Sequence, residues 1–161
     1  GTIGRPILLQ TNLFLDLGHN RVILTKSKGE LKKYGISLET MKRIPLEPDE
    51  RGIIVRANTI IGPLRFLINT GSTLSCGRTS LVAQSLEYAK RVQKDFRGLS
   101  YLVSNVQIGV KEFGWQKLYL FDFSDEITWA DGCLGIDFLD KHMVYIDYPN
   151  MVVYISSVTD T

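Results

Sequence analysis

Cysteine, histidine and long apolar runs are scarce in this chain, and each scarcity closes off a class of function. Cys76 and Cys133 are its only cysteines. They lie far apart and match no metal-ligand spacing, so two buried thiols are expected. His19 and His142 belong to no ligand cluster and read as turn or surface residues. No Ser/His/Asp, Cys/His or phosphate-loop arrangement is visible, and neither a metal nor a cofactor is expected. No apolar run approaches the roughly 18 residues that span a bilayer, although 44% of the residues are apolar. No segment has the charged-then-apolar layout of a secretory signal. The chain starts at Gly1 rather than Met, which reads as a trimmed start whose native beginning is missing. Nor is there an excess of one charge. Nineteen basic and 17 acidic side chains leave a net charge of +2, too balanced to indicate nucleic-acid or membrane binding. The densest basic stretch, Lys26, Lys28, Lys32 and Lys33, reads as a solvated helix face and linker rather than an anion site.

What is present is a series of short β-branched and aromatic runs. Residues 13–17 (LFLDL) and 21–25 (RVILT) flank Gly18-His19-Asn20, a hairpin signal in which Gly and Asn can take positive φ. Residues 27–35 predict a short helix ending at Gly35. Pro45 and Pro48 mark an irregular or edge segment. GIIVRANT and LRFLIN form two strands within 52–69, around Ile61-Gly62-Pro63. Residues 79–93 have helical character. Strands resume at SYLVSNVQIGV and WQKLYLFDF, Asp131-Gly132 opens a loop, and Ile136 to His142 reads as a short helix. VYIDY and MVVYI close the chain as a second hairpin. The expected class is all-β with two or three short helices.

There is an internal repeat. Residues 2–24 fall on 133–155 without a gap at an offset of 131, with Gly4 on Gly135, Leu8 on Leu139, Asp16 on Asp147 and Val22 on Val153. A common hairpin used twice would give some of this. The shared order of Gly, helical turn, strand with Asp, turn and strand favours duplication. Residues 1–26 then read as the remnant end of a preceding unit, 27–50 as a linker with a short helix, and 51–161 as the main domain.

The most informative stretch is FLINTGSTLSC, residues 66–76. An apolar strand runs into Asn69-Thr70-Gly71-Ser72. An acid held rigidly at the end of such a strand, with a glycine for the sharp turn and hydroxyls nearby, is the layout of a paired-carboxylate site. Two such loops face to face bring two carboxylates to one water. They share a proton, because like charges that close cannot both ionise.

Here the sequence resembles the retropepsin-like, or retroviral-type, aspartic proteases. FLINTGSTLS matches their strand-Asp-Thr-Gly loop except at Asn69. ADGCLGIDFLDKH (130–142) matches their late glycine segment, and the tail VYIDYPNMVVYI fits the closing strands of bacterial members. The resemblance covers roughly residues 50–156. It implies a closed β-barrel and a peptidase that activates water without metal or covalent intermediate. Asn69, Thr70 and Gly71 stand at the catalytic positions, Thr70 where the family bonds across a two-fold axis. Leu134, Gly135 and Ile136 pack under the loop. Ser72 and a flap tip at Asp95-Phe96-Arg97-Gly98 would meet a peptide or protein substrate. The second acid would come from a homodimer partner or from a preceding lobe of the same full-length chain.

Asn69 cannot ionise and cannot be a general base. Three readings stay open. The first is an Asp-to-Asn exchange introduced into a working enzyme. The second is a natural pseudo-protease that still binds peptides or dimerises. The third is a structural β-domain in which Asn69 simply bonds nearby backbone. The expectation carried forward is the first. Asp131 reads as a turn residue, Asp137 as a helix cap, and Asp16 and Asp147 as equivalent structural residues.

Overall fold

The computed structural model describes residues 4–47 and 49–156. Pro48, Thr2 and Ile3, which figure in the expectations above, lie outside the described residues. In chain order the elements are α1 (Arg5–Leu8), β1 (Asn12–Asp16), β2 (Arg21–Thr25), β3 (Lys42–Pro45), β4 (Ile54–Thr59), β5 (Gly62–Ile68), β6 (Cys76–Arg78), α2 (Thr79–Ala83), α3 (Leu86–Arg91), β7 (Gln93–Lys94), β8 (Ser100–Ile108), β9 (Lys111–Phe121), β10 (Gly132–Leu134), α4 (Ile136–Leu139), β11 (Val144–Asp147) and β12 (Val152–Ile155). They fall into two compact units. One is Gly1–Pro48 with Leu139–Thr161; the other is Asp49–Phe138.

The second unit is a closed six-strand barrel, ordered β4-β5-β10-β6-β9-β8 and shut by pairing of β8 with β4 at Gln107 and Asn58. The all-β barrel read from the sequence is therefore the fold observed. Its strands alternate as half-buried strands must: Leu64, Phe66 and Ile68 of β5, and Leu102, Ser104, Val106 and Ile108 of β8, are buried while their neighbours are not. Strand β10 inserts between β5, to which it runs parallel, and β6, to which it runs antiparallel. The helix expected over 79–93 is broken. Ser85 starts a new turn by accepting the Tyr88 amide, and Gln93 and Lys94 leave helical geometry to pair with Tyr101 and Ser100. Asp131-Gly132 is not an open loop, since Gly132 begins β10. A side chain there would strike the Cys76 carbonyl of the adjacent strand.

The first unit is a five-stranded antiparallel sheet, ordered β2-β1-β11-β12-β3. Its core gathers Phe14, Leu31, Ile36, Met41, Tyr145, Val152 and Tyr154. Asn12 and Thr25 both reach the Tyr145 hydroxyl. Residues Lys28–Tyr34 form a 3-10 helix ended by Gly35 at φ 71°. The first hairpin forms as expected, but Asn20 alone supplies the left-handed turn residue at φ 54°. Gly18 serves a different need, because a Cβ there would lie 2.8 Å from the Asp140 carbonyl oxygen. His142 is buried rather than superficial, with Nδ1 donating to the Ser156 carbonyl at 2.9 Å. α4 stops at Leu139, short of the His142 expected.

Candidate active site

Asn69 leaves the barrel at the end of β5. The buried Leu64, Phe66 and Ile68 anchor that strand, and backbone bonds grip its end from both sides. Ile68 N donates to Ile53 O at 2.9 Å, and Asn69 N to Leu134 O at 3.0 Å. The loop then folds on the Asn69 side chain, whose Oδ1 accepts the Gly71 amide at 2.9 Å, as short polar side chains do at tight turns. Ser72 N closes on the Asn69 carbonyl at 3.4 Å. Asn69 is half-buried, and Thr70 and Gly71 are exposed, so position 69 is not sealed in a core. The Ser72 hydroxyl donates to Leu74 O at 2.7 Å, within the loop itself.

The segment 134–137 lies directly against this loop. Ile136 N donates to Ser72 O at 2.8 Å and Asp137 N to Thr73 O at 3.2 Å. Gly135 has no room for a side chain. A Cβ would lie 2.7 Å from both the Leu74 and Ser72 carbonyl oxygens. Asp137 corrects the reading of it as a helix cap. Its Oδ1 accepts from Ser75 N (2.8 Å) and Ser75 Oγ (2.6 Å), and its Oδ2 accepts from Gln116 Nε2 (3.0 Å). Gly135 N donates to the same Ser75 hydroxyl at 2.9 Å. Ser75 is fully buried, so one carboxylate satisfies polar groups that water cannot reach. Ser75 and Gln116 were not foreseen. The available signal was a polar residue at an inward position of an otherwise apolar strand. Asp131 likewise does more than shape a turn, since it accepts the Arg65 amide at 2.8 Å and pairs with the Arg65 guanidinium at 3.3 Å.

Beneath the loop, Cys76 and Cys133 face each other across β6 and β10 as buried free thiols with sulfurs 3.3 Å apart. The bond from Cys76 draws Cys133 down to about 7. The same bond, together with burial, pushes Cys76 up.

Asp95-Phe96-Arg97-Gly98 sits at the tip of the β7–β8 hairpin. Asp95 N donates to Leu99 O at 3.0 Å, and Gly98 closes the turn at φ 81°. The Asp95 carboxylate accepts the amides of Arg97 and Leu99 and the Arg97 guanidinium. Burial pushes the Asp95 carboxyl up, but the Arg97 and amide bonds outweigh it and hold it below its ordinary value. Phe96 is 97% exposed at the tip, with the Arg97 guanidinium 5.5 Å from its ring centre. Among the described residues, no group of three or more His, Cys, Asp or Glu side chains could hold a metal, and no helix is long and apolar enough to cross a membrane.

The strand-end loop, braced by the late glycine segment, thus sits on a closed six-strand barrel. The fold is similar to that of an aspartic proteinase from Irpex lacteus, with a TM-score of 0.56 at 15% identity, covering 77% of this chain and 50% of that one. The chain thus spans half the length of that enzyme. It is also similar, at a TM-score of 0.49 and 17% identity, to a retropepsin-like aspartic protease from Rickettsia conorii, over 71% of this chain and 90% of that one. No protein-family model and no curated protein matches the sequence.

Proposed function

We propose that this chain carries one half of an aspartic endopeptidase site, with Asn69 at the place of the water-activating aspartate. The observation that carries this reading is the bond from Gly71 N to Asn69 Oδ1. An aspartate of the same shape would accept that amide with one oxygen. Its second oxygen, where the amide nitrogen now stands, would be free to take a proton from water. The partner acid would hold the shared proton and pass it to the peptide carbonyl. An amide can do neither, so the chain as it stands does not hydrolyse peptides. Thr70 and Gly71 complete the loop, and Leu134, Gly135 and Ile136 support it. Ser72 and the hairpin tip Asp95-Phe96-Arg97-Gly98 would contact an extended peptide, with Phe96 supplying an apolar cover. The second half-site comes from a homodimer partner or from a preceding lobe of the full-length chain. We read the exchange at position 69 as introduced, and the parent as bacterial.

A second reading has support in the same region. The Ser75–Asp137–Gln116 brace is fully formed around a loop without an acid, as suits a pseudo-protease that binds peptides or dimerises without cutting them. Asn69→Asp in the full polypeptide, assayed on unfolded protein from mildly acidic to neutral pH, separates the two. Cleavage that appears only in the variant supports the peptidase. Peptide binding by both forms with cleavage by neither supports the binding module.

A further inference from the structure

The half-site reading leaves both cysteines unused, and the barrel sets them face to face. Cys76 opens β6 and Cys133 lies in the middle of β10, each the register partner of the other in an antiparallel pair. Residues directly opposite in such a pair have Cα atoms about 4.5–5.5 Å apart, inside the roughly 4.4–6.8 Å that a disulfide spans. The adjacent pair is Gly77 with Gly132, so no side chain there props the strands apart. The sulfurs are 3.3 Å apart, and each residue is 7% exposed. Closing to a bond of about 2.05 Å needs an approach of about 1.2 Å, within reach of side-chain rotation.

The chemistry of the pair exceeds what packing needs. Tyr119, Leu67, Leu74, Leu99, Tyr101 and Phe123 surround it, and alanine or valine would fill such a place as well. Two thiols in contact share a proton instead. The bond from Cys76 draws Cys133 down to about 7, so thiolate, the reactive form, is present at neutral pH. A reactive thiol beside a second one able to resolve its oxidation is the arrangement of redox-sensing cysteines. The pair also lies at both roots of the candidate loop. Cys76 follows Ser75 where the loop ends, and Cys133 precedes Leu134, whose carbonyl accepts the Asn69 amide at 3.0 Å. Cys133 Sγ reaches Leu74 O at 3.6 Å. A bond between the sulfurs ties the strand on which the loop ends to the strand that grips its start.

We propose that Cys76 and Cys133 are a redox pair that hydrogen peroxide closes to a cross-strand disulfide, clamping residues 69–75. The Cys133 thiolate attacks one peroxide oxygen. The S–O bond forms as the O–O bond breaks, and the departing hydroxide takes a proton from solvent and leaves as water. The Cys76 sulfur then attacks the sulfenic acid on Cys133. The S–S bond forms as the S–O bond breaks, and the hydroxyl leaves as water with the Cys76 proton. Two thiols have lost two electrons and two protons, and one peroxide has become two waters. A dithiol reductant reverses the change by exchange. With so little of either sulfur exposed, the oxidant must be small. The clamp acts on the loop whether it cuts peptides or only binds them, so it does not depend on the assignment of Asn69.

The test treats the folded, reduced 161-residue chain with excess hydrogen peroxide and quenches it in acid. The expected product is a monomer lighter by two hydrogens, with Cys76 and Cys133 joined in its proteolytic map, and dithiothreitol restores the starting mass. The cysteines are 57 positions apart, so the cross-link closes a long loop and raises the melting temperature by roughly 8–16 °C. Amide exchange at 69–75 slows about fivefold or more. Cys76→Ser removes the resolving thiol, so peroxide adds oxygen at Cys133 and the melting temperature does not rise. Should that variant not fold, the native chain alone decides. Thiols that stay reduced in excess peroxide, a disulfide that joins two chains, or one that forms only after unfolding overturns the proposal. A disulfide that leaves exchange at 69–75 unaltered refutes the clamp.

Discussion

Replacing Gly135 by alanine adds one methyl group at the tightest point of the candidate site. Gly135 is not at positive φ, so the substitution carries no backbone penalty of its own, and only space is tested. The new Cβ would lie 2.7 Å from two carbonyl oxygens and 2.8 Å from the Leu74 carbonyl carbon. These are backbone atoms and cannot rotate away as a side-chain tip could. The loop must move by most of an ångström, which costs about 1–3 kcal/mol as overpacking. It also loosens the Ile136–Ser72 and Gly135–Ser75 bonds, at about 1 kcal/mol each. A loss of about 3 kcal/mol lowers the melting temperature of a chain this size by roughly 6–12 °C. Thermal unfolding followed by circular dichroism measures this directly. Gly77→Ala is the control, because the nearest atom to its Cβ would be Leu81 Cδ1 at an ordinary 3.9 Å. If the two variants melt together, the claim that backbone contact forces glycine at 135 is refuted.

Ser75→Ala removes a hydroxyl that links Asp137 to the Gly135 amide and leaves a buried donor unpaired. A loss of about 1–3 kcal/mol is expected in chemical denaturation; no change would show that the brace is dispensable. Burial disfavours the charged form of His142 and lowers its pKa from 6.5, against the opposing bond to the Ser156 carbonyl, with Lys141 adding to the drop and Asp140 resisting it. The folded state therefore prefers the neutral ring. The stability this provides is complete above the unfolded pKa and is lost as pH falls through 6.5 toward the lower folded value. Denaturation midpoints at pH 7.5 and 5.5 should differ in the native protein and differ less in His142→Gln. Asp95→Ala releases the amides of Arg97 and Leu99, so their hydrogen exchange should quicken while that of β4 and β5 is unaltered.

The barrel was legible because its strands alternate at period two, as at Leu64, Phe66 and Ile68, and because Asn-Thr-Gly follows a buried run. The second hairpin could be read from its two apolar runs, VYIDY and MVVYI. The broken helix after residue 79 was not, since Leu81, Leu86 and Ala89 satisfy a helical stripe and the competing strand pairing of Gln93 and Lys94 is long-range. The brace on the loop was also hidden. Asp137 looks like a helix cap in one dimension. Only the insertion of β10 between β5 and β6 brings its carboxylate to Ser75 and Gln116, residues 62 and 21 positions away. His142 was misplaced for a similar reason, as a lone histidine directly after Asp140 and Lys141 carries no sign of burial.

The contact between Asn12 and Tyr145 joins residues 133 apart in the chain, and this sets an order of events during synthesis. Strand β1 cannot find its partner β11 until the chain through Asp147 has been made. Closing so long a loop in an unstructured chain is entropically costly and slow. The intervening barrel, contiguous from Asp49 to Phe138, can fold first and shorten the distance to be closed. The hairpin of β1 and β2 must then wait, with Phe14 and Leu15 uncovered, for β11 and β12 to leave the ribosome. That interval is when this protein is most exposed to aggregation and to chaperone capture.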